Sequence, residues 1–215
     1  MADIRSGVIL AGGSGRRIGS EKAVLEFFGR TMIEWAVDLV REVAQDVVVV
    51  ARDENQLERL QELIPDASFA CDKVPDYGPV AGLAAGMISA RGKYALAVGC
   101  DLPFLSSAVL DKLFQLAEGY DAAVPVRPDG ILETLHAVYR ADRMADACFR
   151  AVDQRLQKVL APLEKIDVNR VSVEELRSAD PLLLSFFNIN TEEDLDAARR
   201  IWTEKKVQKC RWSRR

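Results

Sequence analysis

Gly7-Val8-Ile9-Leu10-Ala11-Gly12-Gly13-Ser14-Gly15-Arg16-Arg17-Ile18-Gly19-Ser20-Glu21-Lys22 is the stretch whose reading decides the fold class. Gly7 to Leu10 has the apolar run of a buried strand, and that strand empties at once into glycines. Helix signals follow. Thr31 and Glu34 have capping-box spacing, and Ile33, Val37, Leu39, Val40 and Val43 give one apolar face. Val47 to Val50 then reads as a strand buried on both sides, as parallel strands are. Leu57, Leu60 and Leu63 carry the next helix, which stops before Pro65.

The alternation repeats downstream. Ser68 to Cys71 is a short candidate strand, Val80 to Ala90 a small-residue helix entered through Gly78-Pro79, and Tyr94 to Gly99 a strand ending at Cys100-Asp101. Ser106 or Ser107 is the expected cap of a helix bearing Val109, Leu110, Leu113, Phe114 and Leu116, before a strand at Ala122 to Val126. Beyond residue 127 the rhythm loosens. Leu135 to Tyr139 is a candidate strand, and a candidate for an antiparallel one. Helices are expected around 141–152 and 155–163, a strand-like run at Leu182 to Phe187, and a last helix from Thr191 through Leu195, Ala198 and Ile201. Strands alternating with helices predict an α/β, Rossmann-like three-layer sandwich with a mostly parallel central sheet.

Bulk properties narrow the rest. The 215 residues, 49% of them hydrophobic, suit one domain, expected over 1–203. The net charge is −4, yet the tail 204–215 holds Lys205, Lys206, Lys209, Arg211, Arg214 and Arg215 against Glu204 alone. The body is therefore distinctly acidic, which argues against nucleic-acid binding. The basic tail suits acidic partners or, more simply, a solvated terminus. Cys71, Cys100, Cys148 and Cys210 form no C-x-x-C pair and His136 is the single histidine, so a structural zinc site is not expected. With no signal-peptide pattern at Met1-Ala2-Asp3-Ile4-Arg5 and no membrane-length apolar run, a cytoplasmic protein with reduced thiols is expected.

In open α/β sheets ligands bind beyond the carboxyl ends of the strands. Four polar clusters fall at such ends. The loop from Gly12 to Lys22 reads either as a flexible surface loop or as a phosphate cradle. Its glycines let backbone N–H groups approach an anion, and Arg16, Arg17 and Lys22 within the same loop favour the cradle. It is not a G-x-x-x-x-G-K-[ST] loop, because Gly19 is followed by Ser20, and not a G-x-G-x-x-G loop, because the pattern fails at Ile18. Asp101, directly after a buried strand, is either a turn residue or a ligand for Mg²⁺, which takes oxygen donors from one or two carboxylates plus substrate phosphates. Asp72 precedes Asp76-Tyr77-Gly78-Pro79-Val80-Ala81-Gly82, where Gly-Pro is either a plain turn or an entry that bares helix N–H groups to a ligand. Asn188 and Asn190 share a side if their segment is a strand, and read otherwise as turn asparagines ahead of a helix capped at Thr191. His136 is expected as a hydrogen-bonded core or rim residue, and Trp35 and Trp202 as packing residues. No Ser/His/Asp or Cys/His set suggests a covalent nucleophile.

Leu10-Ala11-Gly12-Gly13, then Arg16-Arg17-Ile18-Gly19 and Glu21-Lys22, resembles the L-A-G-G-x(n)-R-M-G-x-D-K signature of the nucleotidyltransferase superfamily. With Gly78-Pro79-Val80-Ala81-Gly82, Cys100-Asp101-Leu102-Pro103-Phe104 and Asn188-Ile189-Asn190-Thr191-Glu192-Glu193-Asp194-Leu195, the chain over roughly residues 5–200 is similar to the molybdenum cofactor guanylyltransferase (MobA) branch. The resemblance implies a nucleotide-diphospho-sugar transferase type of fold and transfer of GMP from GTP to the terminal phosphate of Mo-molybdopterin. It implies Mg²⁺ at Asp101. Leu10, Ala11 and Gly12 would line the guanine, and Gly13, Ser14, Gly15, Arg16 and Arg17 would hold the phosphates. Lys22, Asp101 and Arg17 would be the catalytic set, with Asp72 on the nucleotide. Gly78, Pro79, Gly82, Asn188 and Asn190 would lie on the acceptor side. Molybdoenzymes or their chaperones would receive the product.

The chain departs from the pattern at Ile18 for methionine, Glu21 for aspartate, Val50-Ala51-Arg52 where some relatives carry asparagine, and Glu133-Thr134 for glutamate-proline. These bear on base and acceptor choice. A cytidylyltransferase acting on molybdopterin or a sugar-type phosphate is the nearest alternative, although such relatives tend to carry L-A-A-G. A non-catalytic nucleotide- or cofactor-binding module is the alternative of a different class.

Overall fold

The computed structural model describes residues 4–12, 21–72 and 77–212. Its centre is a seven-stranded sheet. In chain order the strands are β1 (Arg5–Leu10), β4 (Asp46–Ala51), β5 (Ser68–Cys71), β6 (Tyr94–Gly99), β7 (Ala122–Val126), β8 (His136–Arg140) and β9 (Val168–Ser172). A two-stranded hairpin, β2 (Glu26–Phe27) with β3 (Arg30–Thr31), stands apart. The helices are α1 (Met32–Arg41), α2 (Glu54–Leu63), α3 (Pro79–Ser89), α4 (Ser107–Ala117), α5 (Ala141–Asp153), α6 (Leu160–Leu163) and α7 (Glu192–Trp212).

The spatial order is β5-β4-β1-β6-β8-β7-β9. β1 pairs in parallel with both β4 and β6, while β8 runs antiparallel to both its neighbours. The chain first moves from β1 toward β5, then crosses back to β6. The direction of winding therefore reverses between β1 and β6, and the crevice beyond their carboxyl ends is where such a sheet receives ligands.

Period-two alternation makes the three layers. Ile9, Val49, Leu96 and Val98 face one core with α1 and α4. Their neighbours Val8, Val50, Ala95 and Ala97 face the other, with α3 and α5. On that second side α3 lies very close to the sheet: a Cβ on Gly86 would fall 2.3 Å from Val8 Cγ1. Any side chain there would force α3 outward and shift the helix start that faces the crevice. A third cluster joins Phe27, Met32, Phe104, Ile189 and Leu195, with Trp35 and Trp202 packed against it.

Several expectations are corrected. Leu182 to Phe187 is not a strand. Leu184–Phe186 is a 3₁₀ turn, entered through Leu183 at φ 53° and held by the Asp180 carboxylate accepting from the Ser185 amide at 2.7 Å. The helix expected over 155–163 shrinks to Leu160–Leu163, because Arg155 adopts φ 61° and ends the helical path. β9 and the β2–β3 hairpin were not foreseen. Asn169 and Arg170 interrupt the apolar signal of β9, and the hairpin strands are two residues each. Ser106 is the N-cap of α4 but its hydroxyl makes no capping bond. The capping box at Thr31 and Glu34 is present, with the Glu34 carboxylate also accepting from the Thr31 amide at 2.7 Å. α7 continues past residue 203 to Trp212. No helix of the described residues is long and apolar enough to cross a membrane.

Candidate active site at the switch point

Backbone hydrogen bonds tie the strand ends into one platform. The Ala11 amide donates to Val50 O at 3.0 Å, the Cys100 amide to Leu10 O at 3.3 Å, and the Asp72 amide to Ala51 O at 2.8 Å. Ile189, from far along the chain, donates its amide to Asp101 O at 2.9 Å. That bond brings the asparagine segment to the end of β6.

Over the platform lies a cleft of about 670 Å³. Leu10, Gly12, Lys22, Asp72, Gly78, Pro79, Gly82 and Asp101 line it, as expected for the site. Val50, Ala51, Arg52, Gly99, Cys100 and Leu135 complete the lining. Ala11 is fully buried beneath it. Gly13, Ser14, Gly15, Arg16 and Arg17 lie outside the described residues.

Three side chains from distant parts of the sequence meet in this region. Lys22 Nζ donates to Asp101 Oδ2 at 2.7 Å and to Asn190 Oδ1 at 2.8 Å. The Lys22 and Asp101 side chains retain 15% and 23% of their exposure, so the pair is reachable from solvent but well screened by protein. Lys22 opens a short 3₁₀ turn, Lys22–Val24, and Asp101 stands two residues past the last residue of β6. The two asparagines do not share one strand face. Phe187 to Asn190 is extended coil with Ile189 buried. Asn190 joins the lysine, and neither asparagine is among the described residues that line the cleft. Asp194 fixes Asn190, accepting from the amides of Asn190 and Thr191 at 2.9 Å each. Those bonds hold the Asp194 carboxyl below its ordinary range.

α3 begins at the cleft. Its N-cap, Gly78, has φ 99°, a left-handed conformation that suits glycine, and Pro79 occupies the first turn. The Asp72 carboxylate lies beside α3, with Oδ2 3.8 Å from where a Gly82 Cβ would stand. Opposite, Leu135 enters the lining because β8 starts at this end of the sheet. Arg127 and Glu133, which form an ion pair, flank it. Burial raises the Glu133 carboxyl above the usual range, against the pull of Arg127.

Sequence reasoning missed Val50, Ala51 and Arg52 as lining residues. They stand at the carboxyl end of β4, so the strand-end rule applied to every strand would have found them. His136 is in the core, 1% exposed, as expected. Its ring stacks on Phe186 at 4.5 Å, with the Ser185 backbone beside it. Trp35 and Trp202 do pack, in edge contact at 5.1 Å. No group of three or more His, Cys, Asp or Glu side chains among the described residues is placed to enclose a metal.

A doubly wound sheet with a lysine and a carboxylate paired beside its switch-point cleft defines an α/β protein built to handle a nucleotide. The family model for the MobA-like NTP transferase domain matches residues 7–168. A "Probable molybdenum cofactor guanylyltransferase" of Methanosarcina mazei is 39% identical over 199 residues, covering 89% of this chain and 88% of that protein. The "Molybdenum cofactor guanylyltransferase" of Desulfosudis oleivorans is 38% identical, covering 91% and 95%. The crystal structure of molybdopterin-guanine dinucleotide biosynthesis protein A from Archaeoglobus fulgidus superposes with a TM-score of 0.83 at 36% identity, covering 93% of this chain and 99% of that one. The chain belongs to the MobA-like NTP transferase family.

Proposed function

We propose that this nucleotidyltransferase joins GMP from GTP to the terminal phosphate of Mo-molybdopterin, giving the guanine dinucleotide cofactor and pyrophosphate. The observation that carries the reading is the meeting of Lys22, Asp101 and Asn190, 79 and 168 residues apart from the lysine, at one cleft. The names of the relatives supply the base and the acceptor.

The pterin phosphate attacks the α-phosphorus of GTP. A P–O bond forms there, the α–β anhydride bond breaks, and pyrophosphate leaves with the electron pair. The attacking phosphate is already ionised near neutral pH, so the site needs no general base. Its task is to position two anions and neutralise developing charge. Lys22 supplies the cation. Asp72 and the Leu10–Gly12 backbone face the nucleotide, and the start of α3 with Asn190 faces the acceptor. Asn188 would act there only through the backbone of its segment.

A cleft with few carboxylates fits a divalent cation held mainly by phosphate oxygens and water rather than by a protein cage. Asp101 would hold Mg²⁺, which when bound would neutralise charge on the phosphates. Arg17 and the loop from Gly13 to Arg16 would grip the triphosphate. A cytoplasmic location and hand-over of the product to a molybdoenzyme or its chaperone accompany the reading.

The test is pyrophosphate release with Mo-molybdopterin and each of GTP, CTP, ATP and UTP. GTP is expected to exceed the others by at least about tenfold in kcat/KM, since base-edge hydrogen bonds discriminate strongly. A preference for CTP would replace the substrate, and no turnover with any of the four would remove the reading.

A further inference from the structure

The cleft accounts for Lys22 but not for the buried polar group behind it. Gln56, in the first turn of α2, is fully buried, yet every polar atom of its side chain is used. Its Nε2 donates to Ala11 O at 2.9 Å and also to the Glu21 carboxylate, while its Oε1 accepts from the Arg52 amide at 2.7 Å. Glu21 is anchored further by Arg59 Nη2 at 3.0 Å, with Arg52 at 3.9 Å. Ala11 and Glu21 stand on the two sides of the glycine-rich segment. Gln56 therefore joins both of its stems to α2 from behind the cleft.

We propose that Glu21 and Gln56 are positioning residues that hold Lys22 over the reacting phosphates. Glu21 directly precedes Lys22 and is the N-cap of its 3₁₀ turn, with the Val24 amide bonding to Glu21 O at 3.2 Å. Fixing the Glu21 carboxylate fixes where that turn begins, and so where the lysine side chain departs. Neither Glu21, Gln56 nor Arg59 lines the cleft, so their effect must pass through Lys22 and the Ala11 backbone. A buried amide with both donors and its carbonyl engaged holds one geometry, because any shift strands a donor or acceptor. The arm length also matters. An aspartate at 21 would be shorter by one methylene, about 1.5 Å of reach, and would lose Arg59 or Gln56. Glutamate here thus belongs with Arg59 and Gln56 as a set.

The inference rests on the role proposed for Lys22, and the test separates the two. Initial rates of pyrophosphate release with GTP and Mo-molybdopterin are compared for the wild type, Glu21→Ala, Lys22→Ala and the double variant, each confirmed folded by circular dichroism. Glu21→Ala is expected to lower kcat about 10- to 100-fold with KM for GTP changed less than about threefold, because a displaced lysine costs most where charge develops. In the Lys22→Ala background the same change is expected to cost less than about twofold, the non-additivity of residues acting as a unit. Glu21→Asp, which keeps the charge and gives up the reach, is expected to fall between. An equal fold-loss in both backgrounds, or an unimpaired Glu21→Ala, overturns the inference while leaving the role of Lys22 intact. Full turnover by Lys22→Ala overturns both.

Discussion

Asp46 and Asp101 lie at opposite ends of the same sheet, each paired with a cation, at 2.9 Å to Arg91 and 2.7 Å to Lys22. At the amino end of the strands the Asp46 side chain is 2% exposed and collects bonds from the Ser6 hydroxyl, the Arg91 amide and the Arg91 guanidinium. Ser6 in turn accepts from the Gly92 amide at 2.8 Å. Burial opposes ionisation of Asp46, but these bonds outweigh it and hold the carboxyl below its ordinary value. At the carboxyl end Asp101 faces a cleft, and its cation is shared with Asn190. The Asp46 carboxylate is bonded on both oxygens by the fold. Among the described residues, the Asp101 carboxylate takes a side-chain bond from Lys22 alone. Two acids of like chemistry thus divide into a fastener and a functional group according to how many donors the fold aims at each.

Removing each acid breaks the comparison in a different observable. Asp101→Ala is expected to reduce pyrophosphate release by at least about a thousandfold, with a melting temperature within about 3 °C of wild type. That loss is the scale of a transition-state electrostatic partner, and retained turnover would end the distinction drawn here. Asp46→Ala is expected to act the other way. It leaves the Ser6 hydroxyl and Arg91 amide without their acceptor and should cost about 2–4 kcal/mol of stability, measured by urea unfolding. Turnover per folded molecule should stay within about twofold.

The smallest effect concerns a buried group behind the cleft wall, at the start of β8. Burial pushes the His136 imidazole down to about 4, against the nearby Asp180 carboxylate and the Ser185 backbone. The unfolded chain takes up a proton near its ordinary 6.5, and the folded one does not until about 4. Stability from this group is therefore full above about pH 6.5 and drains away as pH falls toward 4. His136→Phe should shrink the stability difference between pH 7.5 and pH 5 by about 2 kcal/mol. An unchanged difference would show that the acid sensitivity in this pH window arises elsewhere.

Much of the sheet was readable because its strands are apolar runs that end in glycine or aspartate. Val47 to Val50 and Tyr94 to Gly99 carry their burial in their composition. β9 did not, since it is an edge strand whose apolar run is broken by the consecutive Asn169 and Arg170. The 3₁₀ turn at Leu184–Phe186 mimicked a strand because only the Asp180 side chain, bonding to a backbone amide, distinguishes the two. In the site, Lys22, Asp72 and Asp101 were legible from strand-end placement and motif. Asn190 was found for the wrong reason, as half of a strand pair with Asn188. Gln56 was invisible: a polar residue on an amphipathic helix looks solvent-facing until the loop it buries against is known.

The reversed direction of β8 has one more consequence. Because that strand starts at the cleft, the wall around Leu135 is built by a hairpin connection, residues 127–135, and not by a helical crossover. Insertions or deletions there can reshape one side of the binding cavity while leaving the register of every other strand untouched. The α3 side and the Leu135 side of the pocket can therefore diverge independently of one another.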